Sequence, residues 1–187
     1  MIISYHGADC FKISQGNLAL VLNPSSKMSA DITLFSNGRS ETAEKSGFVI
    51  DGPGEYEIKD VFIKGYLSAG AGNKINILYL ISFEGMNLCF LGSLADPKLS
   101  DQTLEAIEDI DILFVPVSSE TLDPASAYKL SVSLEPSIII PMYYTKETLE
   151  KFFKEGGEAK VDSLDKFVVK KKDLEGKEGE IVVLKEE

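Results

Sequence analysis

Residues 111–140 read DILFVPVSSETLDPASAYKLSVSLEPSIII, which predicts a strand, a helix and a second strand in that order. The apolar run from Asp111 to Val117 is typical of a buried strand. Asp123-Pro124 supplies a helix N-cap followed by a proline in the first turn. Pro136 ends that helix, and Ser137 to Ile140 forms the next strand. The segment therefore predicts a βαβ unit.

The half of the chain before this unit predicts strands joined by tight turns. Cys10 to Ile13 and Leu18 to Leu22 flank Gln15-Gly16-Asn17, a turn signal between two apolar runs. Ile75 to Phe83 and Asn87 to Leu91 form a second predicted hairpin. These hairpins predict antiparallel pairing in the first half of the chain.

Two further helices follow from cap residues and apolar spacing. Ser100 opens one helix, and Thr145 opens another that ends at Gly156-Gly157. The first of these carries apolar residues at helical spacing, namely Leu104, Ile107 and Ile110. Antiparallel strands followed by alternating strands and helices predict an α/β (α+β) fold, with a mixed sheet or two packed sheets and outer helices.

The composition predicts one globular domain, residues 1–187, and the net charge disfavours nucleic acid as a partner. Hydrophobic residues make up 44% of the chain and charged residues 26%, which is far from the composition of a disordered segment. The formal net charge is −11, and a field of that sign repels phosphate backbones, so we expect no nucleic-acid binding. The basic run Lys170-Lys171-Lys172 is flanked by acids and is interpreted as a solvated strand end.

The remaining composition signals concern the cellular compartment. Cys10 and Cys89 lie in apolar runs, which predicts two reduced, buried thiols. The first five residues lack the basic start and apolar stretch of a signal peptide. Since no apolar run approaches the length of a membrane span, we expect no membrane association and a cytoplasmic location.

Several segments together resemble one family. Gly52 to Ile58, Asp111 to Val117 with Leu122 to Ala125, and Glu135 to Met142 are similar to segments of small metallo-β-lactamase-fold proteins, the branch that includes L-ascorbate-6-phosphate lactonase-like hydrolases. The order and spacing of the segments carry the resemblance, which covers about residues 2–155. It implies a four-layer αββα sandwich with a metal site at one edge of the two sheets.

The resemblance also locates the metal ligands, and nearly all of them are replaced. The family usually has a His-x-His-x-Asp-His loop, a later His, an Asp after a Leu-Gly turn and a final His. The corresponding positions in this chain are Ser36, Gly38, Ser40, Glu41, Gly70, Ser93 and Tyr143. We expect these positions to line a possible pocket, with a rim formed by His6, Asn37, Arg39 and Tyr144.

These replacements predict that no zinc site remains. Zinc requires three or more nitrogen, sulfur or carboxylate ligands, and only Glu41 retains such a group. A chain with one histidine and two distant cysteines has too few ligands for an ordinary zinc site elsewhere. A carboxylate site for Mg²⁺ or Ca²⁺ remains an alternative, formed by Asp51, Glu55, Glu57 and Asp96.

Three functional hypotheses follow. The first is a degenerate metallo-β-lactamase-fold protein without catalytic residues, cofactor or metal, which binds a small ligand or a protein partner. The alternative is an active hydrolase of the metal-dependent lactonase type with an atypical site. The third is a structural subunit of a homo-oligomer. Fold resemblance alone does not decide among them.

Overall fold

The structure is a computed structural model that describes residues 1–37, 47–107, 109–157 and 161–187. Two large β-sheets dominate it. The first has the strand order β13-β1-β2-β3-β4-β5, and the second has the order β14-β11-β10-β9-β8-β7-β6. Strands β12 and β15 form a separate parallel pair.

The first sheet combines an N-terminal meander with two parallel additions. Its strands are β1 (Ile2–Tyr5), β2 (Phe11–Gln15), β3 (Leu18–Leu22), β4 (Ile32–Leu34), β5 (Phe48–Ile50) and β13 (Phe167–Val168). The hairpin of β2 and β3 turns at Gly16, as the sequence predicts, with Gln15 opposite Leu18. Strands β4 and β5 then pair in parallel next to β3.

The second sheet joins antiparallel hairpins to a parallel βαβα segment. Its strands are β6 (Gly54–Ile58), β7 (Val61–Ala69), β8 (Ile75–Phe83), β9 (Met86–Phe90), β10 (Ile112–Pro116), β11 (Ile138–Met142) and β14 (Glu180–Ile181). The predicted hairpin of β8 and β9 is confirmed, with Phe83 opposite Met86. Strands β9, β10 and β11 pair in parallel, as a βαβ unit requires. The small sheet consists of β12 (Ser163–Leu164) and β15 (Val183–Leu184).

Three α-helices begin at the predicted cap residues. They are α1 (Asp101–Ala106), α2 (Pro124–Ser133) and α3 (Lys146–Glu155). The side chains of Ser100, Asp123 and Thr145 each accept a hydrogen bond from a backbone N–H of the first turn. The apolar spacing predicts a helix that continues to Ile110, but α1 ends at Ala106, and Ile107 has an extended backbone conformation.

Two apolar clusters hold the layers together. Inward-facing residues of both sheets form the central cluster, which includes Phe11, Tyr79, Phe90 and Phe114. The second cluster lies between the outer face of the second sheet and helices α2 and α3. The prediction of a sandwich of two sheets with outer helices is therefore confirmed.

Two smaller features refine the sequence interpretation. The basic run does not end a strand: Lys171 begins a 3₁₀ helix (Lys171–Leu174), and its ammonium group contacts both oxygens of buried Asp111 at 2.7 Å. Cys10 and Cys89 are free and buried, as predicted, and burial raises the pKa of Cys89 to about 12. Within the described ranges, no helix is long and apolar enough to cross a membrane.

Candidate functional site

The first part of the candidate site centres on Asn23, which directly follows β3. Its side-chain NH₂ donates to the Asp9 carboxylate at 2.5 Å and to Ser36 Oγ at 2.7 Å. Its Oδ1 accepts a hydrogen bond from the Ser36 backbone N–H at 2.7 Å. Asn23 adopts the left-handed conformation with φ of 43°, which asparagine tolerates better than most residues. One buried amide therefore joins the ends of β3 and β4 to the β1–β2 loop.

The second part centres on Asn76, a fully buried residue of β8. Its NH₂ group donates to Ser68 Oγ at 2.8 Å and to the Leu91 carbonyl at 2.9 Å. Its Oδ1 accepts from the backbone N–H and the hydroxyl of Ser93, at 2.9 and 3.3 Å. All four hydrogen-bonding positions of the amide are thus occupied by protein groups.

Gly92 is the point where the two asparagine clusters meet. A Cβ built on Gly92 would overlap Asn76 Oδ1 and would lie 2.6 Å from Ser36 Oγ. Gly92 also has a positive φ of 59°, which is costly for other residues. The Ser36 carbonyl accepts a hydrogen bond from the Ile77 backbone N–H at 2.7 Å, which fixes the end of β4 against β8. The two sheets are therefore joined by polar contacts at this edge.

Tyr143 extends the Asn23 cluster to the end of β11. Its side chain is close enough to Asp9 for the two groups to shift each other's pKa, while its backbone N–H donates to the Ala8 carbonyl at 2.8 Å. Burial raises the pKa of Asp9 above its ordinary value, although the hydrogen bonds from Tyr143 and Asn23 act in the opposite direction. Burial, followed by the nearby charge of Asp9, raises the pKa of Tyr143. The Tyr143 phenol is therefore neutral at pH 7.

The structure brings together four of the positions that the resemblance assigned to metal ligands. Ser36 and Tyr143 belong to the Asn23 cluster, and Ser93 belongs to the Asn76 cluster. Gly70 is next to Ser93, since a Cβ on Gly70 would lie 3.3 Å from Ser93 Oγ. Three other assigned positions, Gly38, Ser40 and Glu41, lie outside the described residues.

The predicted rim residues occupy different places. His6 Nε2 lies 3.1 Å from Ser4 Oγ and 3.7 Å from a Glu187 carboxylate oxygen, and no described contact joins it to Ser36, Ser93 or Tyr143. Tyr144 donates to the Leu184 carbonyl at 2.6 Å and stacks on Tyr5. Asn37 is exposed, and Arg39 lies outside the described residues.

The described donor groups do not fit a zinc ion. They are hydroxyls, amides and one carboxylate, and the carboxylate already accepts a hydrogen bond from Asn23. Neutral hydroxyl and amide groups are poor zinc ligands. Across residues 1–37, 47–107, 109–157 and 161–187, no group of three or more His, Cys, Asp or Glu side chains could hold a metal ion. The predicted alternative at Asp51, Glu55, Glu57 and Asp96 is therefore wrong, because these acids do not converge.

Sequence reasoning missed three central residues of this site. Asp9, Asn23 and Asn76 are all buried and hydrogen bonded. The sequence did contain a signal for the two asparagines: Asn23 directly follows an apolar strand, and Asn76 interrupts one. A buried polar residue is more informative than an apolar neighbour, since its burial requires hydrogen-bond partners.

Comparisons with known proteins agree with this fold. The sequence profile described as Beta-lactamase superfamily domain matches residues 2–143. A candidate Zn-dependent hydrolase of the metallo-β-lactamase superfamily from Thermotoga maritima is 27% identical, over 98% of this chain and 97% of its own, with a TM-score of 0.80. No curated protein matches the chain in sequence.

Two more distant structures show the same fold. Igni18, a metallo hydrolase from Ignicoccus hospitalis, is 13% identical over 90% of this chain and 99% of its own, with a TM-score of 0.64. A candidate metal-dependent hydrolase from Parabacteroides distasonis is 15% identical over 97% of this chain and 91% of its own, with a TM-score of 0.63.

Proposed function

The chain belongs to the beta-lactamase superfamily, and we propose that it is a non-catalytic member, which binds a ligand or a partner and does not hydrolyse a substrate at a zinc site. Fold membership alone does not establish activity, because the same sandwich can keep or lose its metal ligands. The names of the similar structures describe metal-dependent hydrolases, so the proposal concerns how this chain departs from them.

One observation carries the proposal. Of the described positions that correspond to metal ligands, Ser36, Ser93 and Tyr143 hold hydroxyl groups and Gly70 has no side chain. The surrounding amide groups of Asn23 and Asn76 are hydrogen bonded within the protein. Among the described residues, no buried side-chain nitrogen or oxygen lacks a partner. A cation would have to displace hydrogen bonds at Asn23 and Asn76 before any oxygen could coordinate it. That displacement would leave buried N–H groups unpaired, at a cost of about 1–3 kcal/mol each.

The electrostatics of the site support the same proposal. A site that holds a divalent cation gathers several carboxylates or imidazoles, and these groups must be deprotonated to bind. Here the described cluster contains one carboxylate, Asp9, and its pKa is raised by burial. A nearby metal ion would act in the opposite direction, since a positive charge lowers the pKa of a carboxyl. The Asn23 cluster therefore favours a low net charge rather than the several anionic groups that a divalent cation needs.

Metal analysis of untagged protein purified without chelator tests the proposal. We expect less than about one tenth of an equivalent of zinc, manganese or iron per folded chain after incubation with each metal and gel filtration. The metal-dependent alternative requires about one or more equivalents and a measurable rate on lactone or phosphoester substrates. Retained metal that is lost in the Glu41→Gln variant would contradict the proposal, because Glu41 is the one family ligand position that keeps a carboxylate.

The other sequence-based expectations stay predictions. They are a cytoplasmic location, no binding to nucleic acid or membranes, and possible formation of a homo-oligomer. Gel filtration with light scattering measures the last of these directly.

A further inference from the structure

A groove with a volume of about 680 Å³ lies between α3 and the small sheet of β12 and β15. A volume of this order is sufficient for a small-molecule ligand. The groove borders Tyr144, which directly follows Tyr143, but its lining residues differ from those of the asparagine clusters. It is a second candidate binding surface on this protein.

The floor of the groove is apolar. Leu149 and Phe153 supply it from α3, and Val161 and Val183 supply it from the opposite wall. All four side chains belong to or pack against the cluster beneath the second sheet. Because Leu149 and Phe153 are four residues apart, they share one face of the helix. The floor is thus continuous with a packed core and has a fixed shape.

The rim of the groove is cationic. Lys146 and Lys154 lie at the two ends of the α3 face, and Lys185 lies on the opposite wall. Among the described residues that line the groove, Glu150 is the one acid. Lys185 pairs with the exposed carboxylate of Asp165 at 2.9 Å. Among the ion pairs of the described residues, none involves Lys146 or Lys154. Positive charge around an apolar floor is notable in a chain with a net charge of −11.

We infer that this groove binds an amphipathic anion, a ligand with an extended apolar chain and a single anionic head. The apolar chain would lie on Leu149 and Phe153, and the head would be neutralised by one of the rim lysines. Lys146 and Lys154 are eight residues apart on α3, so their backbones are about 12 Å apart along the helix axis, a distance that suits a medium-chain alkyl carboxylate. The inference names a ligand class for the proposed binding function but does not depend on the absence of metal.

Titration of the full chain with decanoate tests this inference, with 1-decanol as the neutral control and acetate as the head without a chain. Isothermal calorimetry should show saturable 1:1 binding of decanoate. Methyl NMR signals of Leu149, Val161 and Val183 should shift, while acetate has no effect. Decanol should bind at least about tenfold more weakly, because it lacks the charge that the lysines recognise.

Matched lysine variants separate a specific groove from general surface charge. The Lys146→Ala/Lys154→Ala variant should weaken decanoate binding at least about tenfold. The Lys151→Ala variant removes a lysine from the same helix outside the groove lining and should bind decanoate like the unmodified chain. Equal binding of decanol, no saturable binding, or equal effects of both variants would overturn the inference. So would a concentration-dependent dimer that shifts the groove signals without any probe, since a second copy would then be the occupant.

Discussion

The asparagine clusters and the groove beside α3 both contain polar side chains, but in the clusters these contact other protein groups and in the groove they contact solvent. In the clusters, nearly every side-chain donor and acceptor of Asn23 and Asn76 is hydrogen bonded to another protein group. In the groove, Lys146 and Lys154 have no described ion pair and face solvent over an apolar floor. Polar groups that are already paired inside the protein are not available to a ligand, whereas exposed charges beside an apolar surface are available.

Replacement of Asn76 should have the largest effect on stability. The Asn76→Leu variant leaves the Ser93 N–H and the Leu91 carbonyl buried without their partner, so we expect a loss of about 3 kcal/mol in unfolding free energy. Asn87 on the next strand makes its side-chain hydrogen bonds in an exposed position. The Asn87→Leu control should therefore cost less than about 1 kcal/mol. Urea unfolding of both variants measures the difference, and equal losses would show that the Asn76 cluster is not a rigid unit.

The Gly92→Ala variant should have the next largest effect. It adds a Cβ that overlaps Asn76 Oδ1 at a positive φ, for an expected cost of about 2 kcal/mol. Gly85 also has a positive φ, of 72°, but a Cβ there meets nothing within 4 Å. The Gly85→Ala variant should thus cost only the backbone strain, about 1 kcal/mol. Thermal unfolding midpoints that are equal for the two variants would contradict the close approach at Gly92.

The Asp9→Asn variant should change how stability depends on pH. Burial raises the folded-state pKa of Asp9 above its unfolded value of about 3.9. The stabilising contribution of Asp9 is therefore complete below the unfolded pKa and is lost as the pH rises through the folded pKa. Asparagine can still accept the hydrogen bond from Asn23 through its one side-chain oxygen, and it does not ionise. The variant should therefore gain stability relative to the unmodified chain as the pH increases from 4 to 8.

Urea unfolding across that pH range measures the Asp9 effect. The curves of the two proteins should converge near pH 4 and separate towards pH 8. A variant that is less stable than the unmodified chain at pH 8 would show that Asp9 needs its charge. Such a result would favour a bound cation near the carboxylate.

Loss of the groove lysines should have the smallest effect on stability. Lys146 and Lys154 are exposed and contribute no described ion pair, so the Lys146→Ala/Lys154→Ala variant should unfold within about 0.5 kcal/mol of the unmodified chain. Chemical denaturation of this variant complements its binding test. A loss of unfolding free energy similar to that of the Asn76→Leu variant would mean that the two lysines stabilise the fold. It would also remove the distinction between the groove and the asparagine clusters.

More of the fold than of the candidate site could be predicted from the sequence. Cap residues such as Asp123 and turn residues such as Gly16 act locally, so their signals are complete within a few residues of sequence. The same is true of the buried strand from Ile112 to Pro116. Strand order within each sheet depends on distant pairings, as between β1 and β13, and no local signal carries it.

The site depends on contacts between residues that are distant in sequence. Asp9 meets Asn23 and Tyr143 only because β3 and β11 end at the same edge of the sandwich. The resemblance located Ser36, Ser93 and Tyr143 because it compares ligand positions. It could not locate Asn23 or Asn76, which replace no metal ligand and instead satisfy the groups around the site.

X-ray diffraction from crystals grown in excess zinc, with anomalous data at the zinc edge, tests the central claim most directly. The diffraction data would also reveal a zinc ion bound to Glu41, which lies outside the described residues. We predict no anomalous peak within coordination distance of Ser36, Ser93, Tyr143 or Glu41. A peak that these side chains coordinate at about 2.0–2.2 Å would contradict the claim that this family member has lost its metal site.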